Sequence, residues 1–222
     1  MATMAELKNG AHNASLIRKI LNSVSFIAPL TTTLPETYFT TGGALAAAPV
    51  GFLPMGIVGK DDGYNFAADQ DSEEVEGHGY TSPVRIDITS AQRTMQATFL
   101  ETRKETLEQA LGVDLSGITP GANGEIEFIE PELPVQKHVR MVNIGSDGAG
   151  DQEWFLIKEY PYCKVTEIGD MSWSASDALQ YELTYTAFPD PVLGYSVRNF
   201  IGGPGAIKAL EDMGFPAYTP TP

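Results

Sequence analysis

The residues that could carry chemistry are few: His12, His78 and His138, the single cysteine Cys163, and a run of carboxylates between residues 60 and 76. His78 lies close behind Glu73, Glu74 and Glu76, which are metal-binding types, but no second histidine or cysteine stands at ligand spacing. Asp69, Asp71 and Glu73 alternate like the opening of a calcium loop. Such a loop needs glycine at its sixth place, where this chain has Glu74. The stretch from Gly145 to Gly150 is glycine-rich but joins two predicted strands, whereas a phosphate cradle leads from a strand into a helix. Cys163 alternates within a predicted strand and reads as a core thiol. His138 alternates onto a polar strand face. There is no P-loop, nucleophile elbow or cysteine–histidine pairing recognisable by spacing. The sequence predicts a non-enzymatic protein with no catalytic residue, no metal and no cofactor.

Elements must then be sought that build a scaffold. The chain of 222 residues suits one domain, and its 22 glycines and 15 prolines favour many turns and short strands over long helices. The net charge of −15 excludes a tight grip on nucleic-acid phosphates. Charge is uneven: residues 1–35 carry Lys8, Arg18 and Lys19 against Glu6, a net +2. One cysteine excludes a disulfide within the chain and suits a reducing compartment. No apolar run reaches the roughly 20 residues of a membrane helix. Arg18, Lys19 and Asn22 interrupt Leu16–Leu30, so this stretch is not read as a signal peptide. A soluble protein, made in a cytoplasm and not exported by its own signal, is the expectation.

Residues 1–13 are polar and read as loose. Leu16, Ile17, Ile20, Leu21 and Val24 fall at helical spacing, with Arg18, Lys19, Asn22 and Ser23 opposite. That helix either packs on its own domain or buries its apolar face on another subunit. Residues 42–57 are small, apolar and broken by Pro49 and Pro54, an extended segment for which a partner chain is a candidate. Residues 60–76 hold Asp61, Asp62, Asp69, Asp71, Glu73, Glu74 and Glu76 against Lys60, and read as a turn followed by a long exposed loop. Period-two alternation predicts strands at 84–89 and 94–99, joined by a hairpin at Ser90–Arg93, and further strands around Ile126 and Phe128, at 139–141, 154–159, 162–173 and 181–186. On these strands Glu125 and Glu127 would share one face, and Asp87 would point away from Ile86 and Ile88. Thr102 with Glu105 predicts a capping box for a helix carrying Leu107, Ala110 and Leu111 and stopped by Gly112. A last helix spans about 204–213. The expected fold is mainly β with flanking helices, a barrel or sandwich over residues 41–222, preceded by an extended arm over residues 1–40.

The segment from Gly56 to Gly112 carries a resemblance. It runs through Met55–Gly59, the Lys60–Gly63 turn, the acidic stretch ending Glu74-Val75-Glu76, Ser82-Pro83-Val84-Arg85, Thr98–Thr102 and the helix Lys104–Leu111. This pattern, with Ala209–Phe215 near the end, resembles the major tail (tail tube) proteins of long-tailed bacteriophages, especially of actinobacterial hosts, which are related to type VI secretion tube proteins. The family often has tryptophan where Gly77-His78-Gly79-Tyr80 stands here. The resemblance implies a tail-tube β-barrel or sandwich whose subunits form stacked hexameric rings. It implies tape measure and tail terminator proteins as partners, no membrane, and DNA passing through the lumen without specific binding. The place implied is the virion tail, assembled in the host cytoplasm. Candidate interface residues are then Leu16, Ile17, Arg18, Lys19, Ile20 and Leu21 of the arm with Asp69, Asp71, Glu73 and Glu74 of the acidic stretch. Candidate lumen residues are Asp87, Glu125 and Glu127. The rival readings are another self-assembling tube or virion component, and a β-sandwich carbohydrate-binding module using Trp154, Tyr160 and Tyr162.

Overall fold

The computed structural model describes residues 2–61 and 63–219, so Asp62 of the predicted turn lies outside the described residues. The strands are β1 (Asn22–Pro29), β2 (Leu53–Pro54), β3 (Tyr64–Val75), β4 (Arg85–Phe99), β5 (Val139–Asp147), β6 (Trp154–Ile168), β7 (Tyr181–Ala187) and β8 (Arg198–Gly202). The helices are α1 (Met4–Ala11), α2 (Lys104–Leu111) and α3 (Pro204–Lys208). All strand pairings are antiparallel, in the order β2-β1-β5-β6-β7-β4-β3, with β8 added beside β6.

The long β6 organises this sheet. Its first half lies between β5 and β8, and its second half pairs with β7. Register shifts at Val139/Met141 and Val165/Glu167 bend the pairing, as bulges do in curled sheets. The curl lets β1, β4, β5, β6 and β7 face one interior of Ile27, Met95, Phe99, Met141, Tyr160, Cys163, Leu183 and Tyr185. Segment 53–58 laces the two ends together: Leu53 pairs with Ile27 of β1, and Val58 bridges Phe99 of β4. Between them Met55 is fully buried, and its carbonyl accepts a 2.8 Å hydrogen bond from the Thr106 hydroxyl on α2. Leu107, Ala110 and Leu111 press α2 against the same core. A second core on the outer face of β1, β5 and β6 joins Ala28, Val142, Ile144, Phe155 and Ile157 to Tyr38, Leu45 and Phe52.

Several expectations are corrected. Residues 14–24 do not form a helix. A single 3-10 turn covers Ala14–Leu16, and β1 begins at Asn22 and pairs with β5 over eight residues. Backbone pairing to β5 outweighs the helical spacing because β1 is needed between two cores. Residues 22–29 therefore belong to the sheet and not to a free arm, while the polar start forms α1, capped by a Thr3–Glu6 box. The acidic stretch is a strand, not a loop, and Ser90–Arg93 lies inside one continuous 15-residue β4. No strand forms at 125–128; Glu125 accepts backbone N–H bonds within the turn 121–125 instead. Thr102 does not cap α2; its hydroxyl meets that of Tyr181 at 3.0 Å. Segment 42–57 covers its own sheet through Leu45, Phe52 and Met55.

Candidate interaction surface

The candidate surface begins where the sheet ends. β4 is flanked by β7 only from Arg93 to Phe99, whereas β3 follows β4 all the way from Tyr64/Ala97 to Val75/Arg85. Beyond Arg93 the pair is a two-stranded ribbon, turned at Gly77–Tyr80. Eight residues at about 3.3 Å each give it a reach of roughly 25 Å. Directly opposed residues share a face of an antiparallel pair, so the register sorts every side chain on the ribbon.

One face continues the face that carries Met95, Ala97 and Phe99 in the core. It bears Phe66, Ala68, Ala91, Ile88 and Ile86, and Ile86 and Ile88 are 60% and 64% exposed because no element packs over them. The other face is acidic. The pairings Asp69–Gln92, Asp71–Ser90, Glu73–Asp87 and Val75–Arg85 all lie on it. The Ser90 hydroxyl donates to Asp71 at 2.7 Å, and Arg85 pairs with Asp87 at 2.8 Å. Thus three of the four acidic interface candidates, Asp69, Asp71 and Glu73, share a face with the lumen candidate Asp87. Glu74 stands on the opposite face, across from Ile86. The acidic face runs on into Thr94, Gln96 and Thr98 of β4 and Glu182, Thr184 and Thr186 of β7, with Gln96 donating to Glu182 at 2.6 Å.

The arm candidates do not meet these acids. Arg18 pairs with Asp147 at the end of β5 at 3.3 Å and lies 4.2 Å over the Trp154 ring. The Lys19 backbone N–H donates to the same carboxylate. Ile20 occupies the space that a side chain on Gly145 would need. Leu16 is half-buried, while Ile17 and Leu21 are exposed. Glu125 and Glu127 stand on an exposed loop with Ile126 and Ile129, so the strand-face argument for a shared lumen position does not apply to them.

One buried constellation had no signal in the sequence. Glu159 on β6 is 0% exposed and receives Arg198 through Nε at 3.0 Å and an Nη at 2.7 Å, the Tyr38 hydroxyl at 2.6 Å and the Tyr195 hydroxyl at 3.0 Å. Arg198 also donates to the Pro35 carbonyl. Burial, then the adjoining Glu159 carboxylate, push the Tyr38 hydroxyl far above its ordinary range. Each Glu159 carboxylate oxygen accepts two hydrogen bonds within the protein, so the network fastens segment 35–38, β6 and β8 together. His138 stacks on Tyr162 at 4.1 Å and meets Phe188 edge-on, so it is held by aromatic packing; burial, then Lys164, lower its pKa. Trp154 and Tyr160 are buried and do not form an exposed aromatic platform with Tyr162. Among the described residues, no three His, Cys, Asp or Glu side chains gather as metal ligands, and no helix is long and apolar enough to cross a membrane.

No protein-family model matches the chain, and no curated protein matches it in sequence. Among solved structures, the chain is similar to a chain of the PVC sheath–tube complex of an extracellular contractile injection system in the extended state. That match has 8% identity and a TM-score of 0.40, and covers 90% of this chain and 98% of that one. It is also similar to the Hcp protein, at 9% identity and a TM-score of 0.30, over 80% of this chain and 98% of that one.

Proposed function

We propose that the protein is a structural subunit that assembles with copies of itself into a hollow tube. The observation that carries this reading is the ribbon of β3 and β4. A monomer has no reason to extend two strands past its core and leave isoleucines bare on one face and carboxylates on the other. An isolated two-stranded ribbon is marginal in water, and a neighbouring subunit supplies the missing layer. The stretch that resembles the major tail proteins is the stretch that forms this ribbon and α2. In its specific form the reading is a bacteriophage tail tube of stacked hexameric rings, contacted by tape measure and tail terminator proteins. It is assembled in the host cytoplasm and carried in the virion tail. The continuation of the acidic face onto the sheet, where Gln96 of β4 meets Glu182 of β7, would suit a lumen, because negative walls repel phosphates and leave the duplex free to slide.

Negative-stain microscopy of the concentrated chain, with sedimentation beside it, tests this. Tubes or rings of uniform width with a central channel are expected. A chain that stays a monodisperse monomer at all concentrations overturns the reading.

A further inference from the structure

At the root of the ribbon, on its apolar face, is an open cavity of about 420 Å³. Its lining includes Phe66, Ala68, Ala91, Arg93, Lys158 and Asn199, and two cations stand in it with no Asp or Glu among the lining residues. Lys158 lies 5.0 Å over the Phe66 ring and donates to the Asn199 amide oxygen at 2.9 Å. Among the described residues neither Lys158 nor Arg93 has a carboxylate within ion-pair distance. The lysine titrates below its ordinary range because it is partly buried and because Arg93 is near. In a chain of net charge −15, a pocket holding two cations and no counter-charge is a place where a carboxylate is missing.

The chain's own ribbon cannot supply it. Arg93 is opposed by Ala68, on the face away from Asp69, Asp71, Glu73 and Asp87. Glu74 shares the face of Arg93 but stands six residues from Ala68, roughly 20 Å along a strand. The acids and the pocket are complementary surfaces at separate places on one subunit. Contacts of that kind are head-to-tail, and repeat into rings or filaments instead of closing as a two-fold dimer.

We infer that the pocket of Arg93 and Lys158 receives the acidic ribbon face of a neighbouring copy, with Asp69 and Glu73 as its carboxylates. The inference rests on the assembly reading and specifies its contact. It also orients the ring: the ribbon of each copy crosses the root of the next.

Charge exchange tests it in the full chain. Arg93→Glu/Lys158→Glu should raise the concentration needed for assembly about tenfold or more, since like charges would then be juxtaposed. Asp69→Lys/Glu73→Lys should do the same, and because both acids are exposed on the ribbon this variant leaves the core untouched. The two variants mixed in equal amounts should co-assemble, since each then offers the charge that the other lacks, and so should a chain carrying all four changes. Circular dichroism and thermal melting confirm that each variant is folded. If the wild type assembles and both variants assemble at the same threshold, this contact is wrong while the assembly reading stands. A wild type that never assembles overturns both. If pocket reversal leaves assembly unchanged but abolishes binding of a short DNA duplex, the pocket serves phosphate and the inference falls.

Discussion

The change Ile86→Thr/Ile88→Thr separates the stability of the subunit from the stability of its assembly. Threonine keeps the β-branched shape that a strand favours, so the ribbon should persist. Each replacement removes about two methylene equivalents, worth about 0.8 kcal/mol each when fully buried. Because the two side chains are 60% and 64% exposed in the subunit, about 0.6 of that value is unrealised until something covers them. The loss is then about 1 kcal/mol per residue and about 2 kcal/mol per contact, which is roughly a 30-fold higher assembly threshold. The subunit itself should lose no more than about 0.5 kcal/mol, the usual range for surface positions. Light scattering against concentration measures the threshold, and thermal melting of dilute protein measures the subunit. An unchanged threshold would show that these isoleucines stay in water. A large drop in melting temperature would show that they already support the fold.

Three further outcomes follow from the interior. Arg198→Ala leaves the fully buried Glu159 without its cation, so denaturant unfolding should show a loss of about 3 kcal/mol or more. Gly112→Ala combines a backbone at φ +62° with a new Cβ that would lie 2.5 Å from that of Pro134; a loss of more than 1 kcal/mol is expected, and a neutral result would disprove the packed C-cap. Burial raises the titration points of the Cys163 thiol and the Tyr160 and Tyr185 hydroxyls. The folded state therefore keeps protons that the unfolded chain releases above about 8.5 for the thiol and about 10 for tyrosine. Stability should be full below about pH 8.5 and fall as pH rises further, and thiol labelling at pH 8 should proceed no faster than unfolding.

What could be read in advance depended on burial contrast. β7 was plain because Tyr181, Leu183 and Tyr185 are buried while Glu182 is exposed, giving a clean period of two. The start of β5 and the apolar stripe of α2 were legible for the same reason. β1 was missed because it is covered on both sides: Ser25 and Ile27 face one layer, and Phe26 and Ala28 the other. A strand buried twice shows no alternation, and its upstream neighbours Leu16, Ile17, Ile20 and Leu21 supplied a misleading helical spacing. β3 failed in the opposite way. Along Asp69–Val75 both faces are exposed, so its period survives only in charge, as Asp69, Asp71 and Glu73 on one face. The Glu159–Arg198 pair joins positions 39 residues apart, and no local pattern marks such a meeting.

A subunit that ended at its own core would place its apolar side chains where this one places Met95, Phe99, Leu183 and Tyr185, and its ions where this one places Arg18 on Asp147 or Arg198 on Glu159. Three kinds of exception meet on one element and at its root: bare isoleucines, a run of acids with Arg85 as the paired cation, and two cations without a carboxylate. Apolar burial would then hold the copies together, while the charges fix which copy goes where and at what register. Since the Arg18 guanidinium is already tied to Asp147, it is not free to guide a neighbour's acids. Arg93 and Lys158 beneath the ribbon, which make no ion pair among the described residues, are placed to do so.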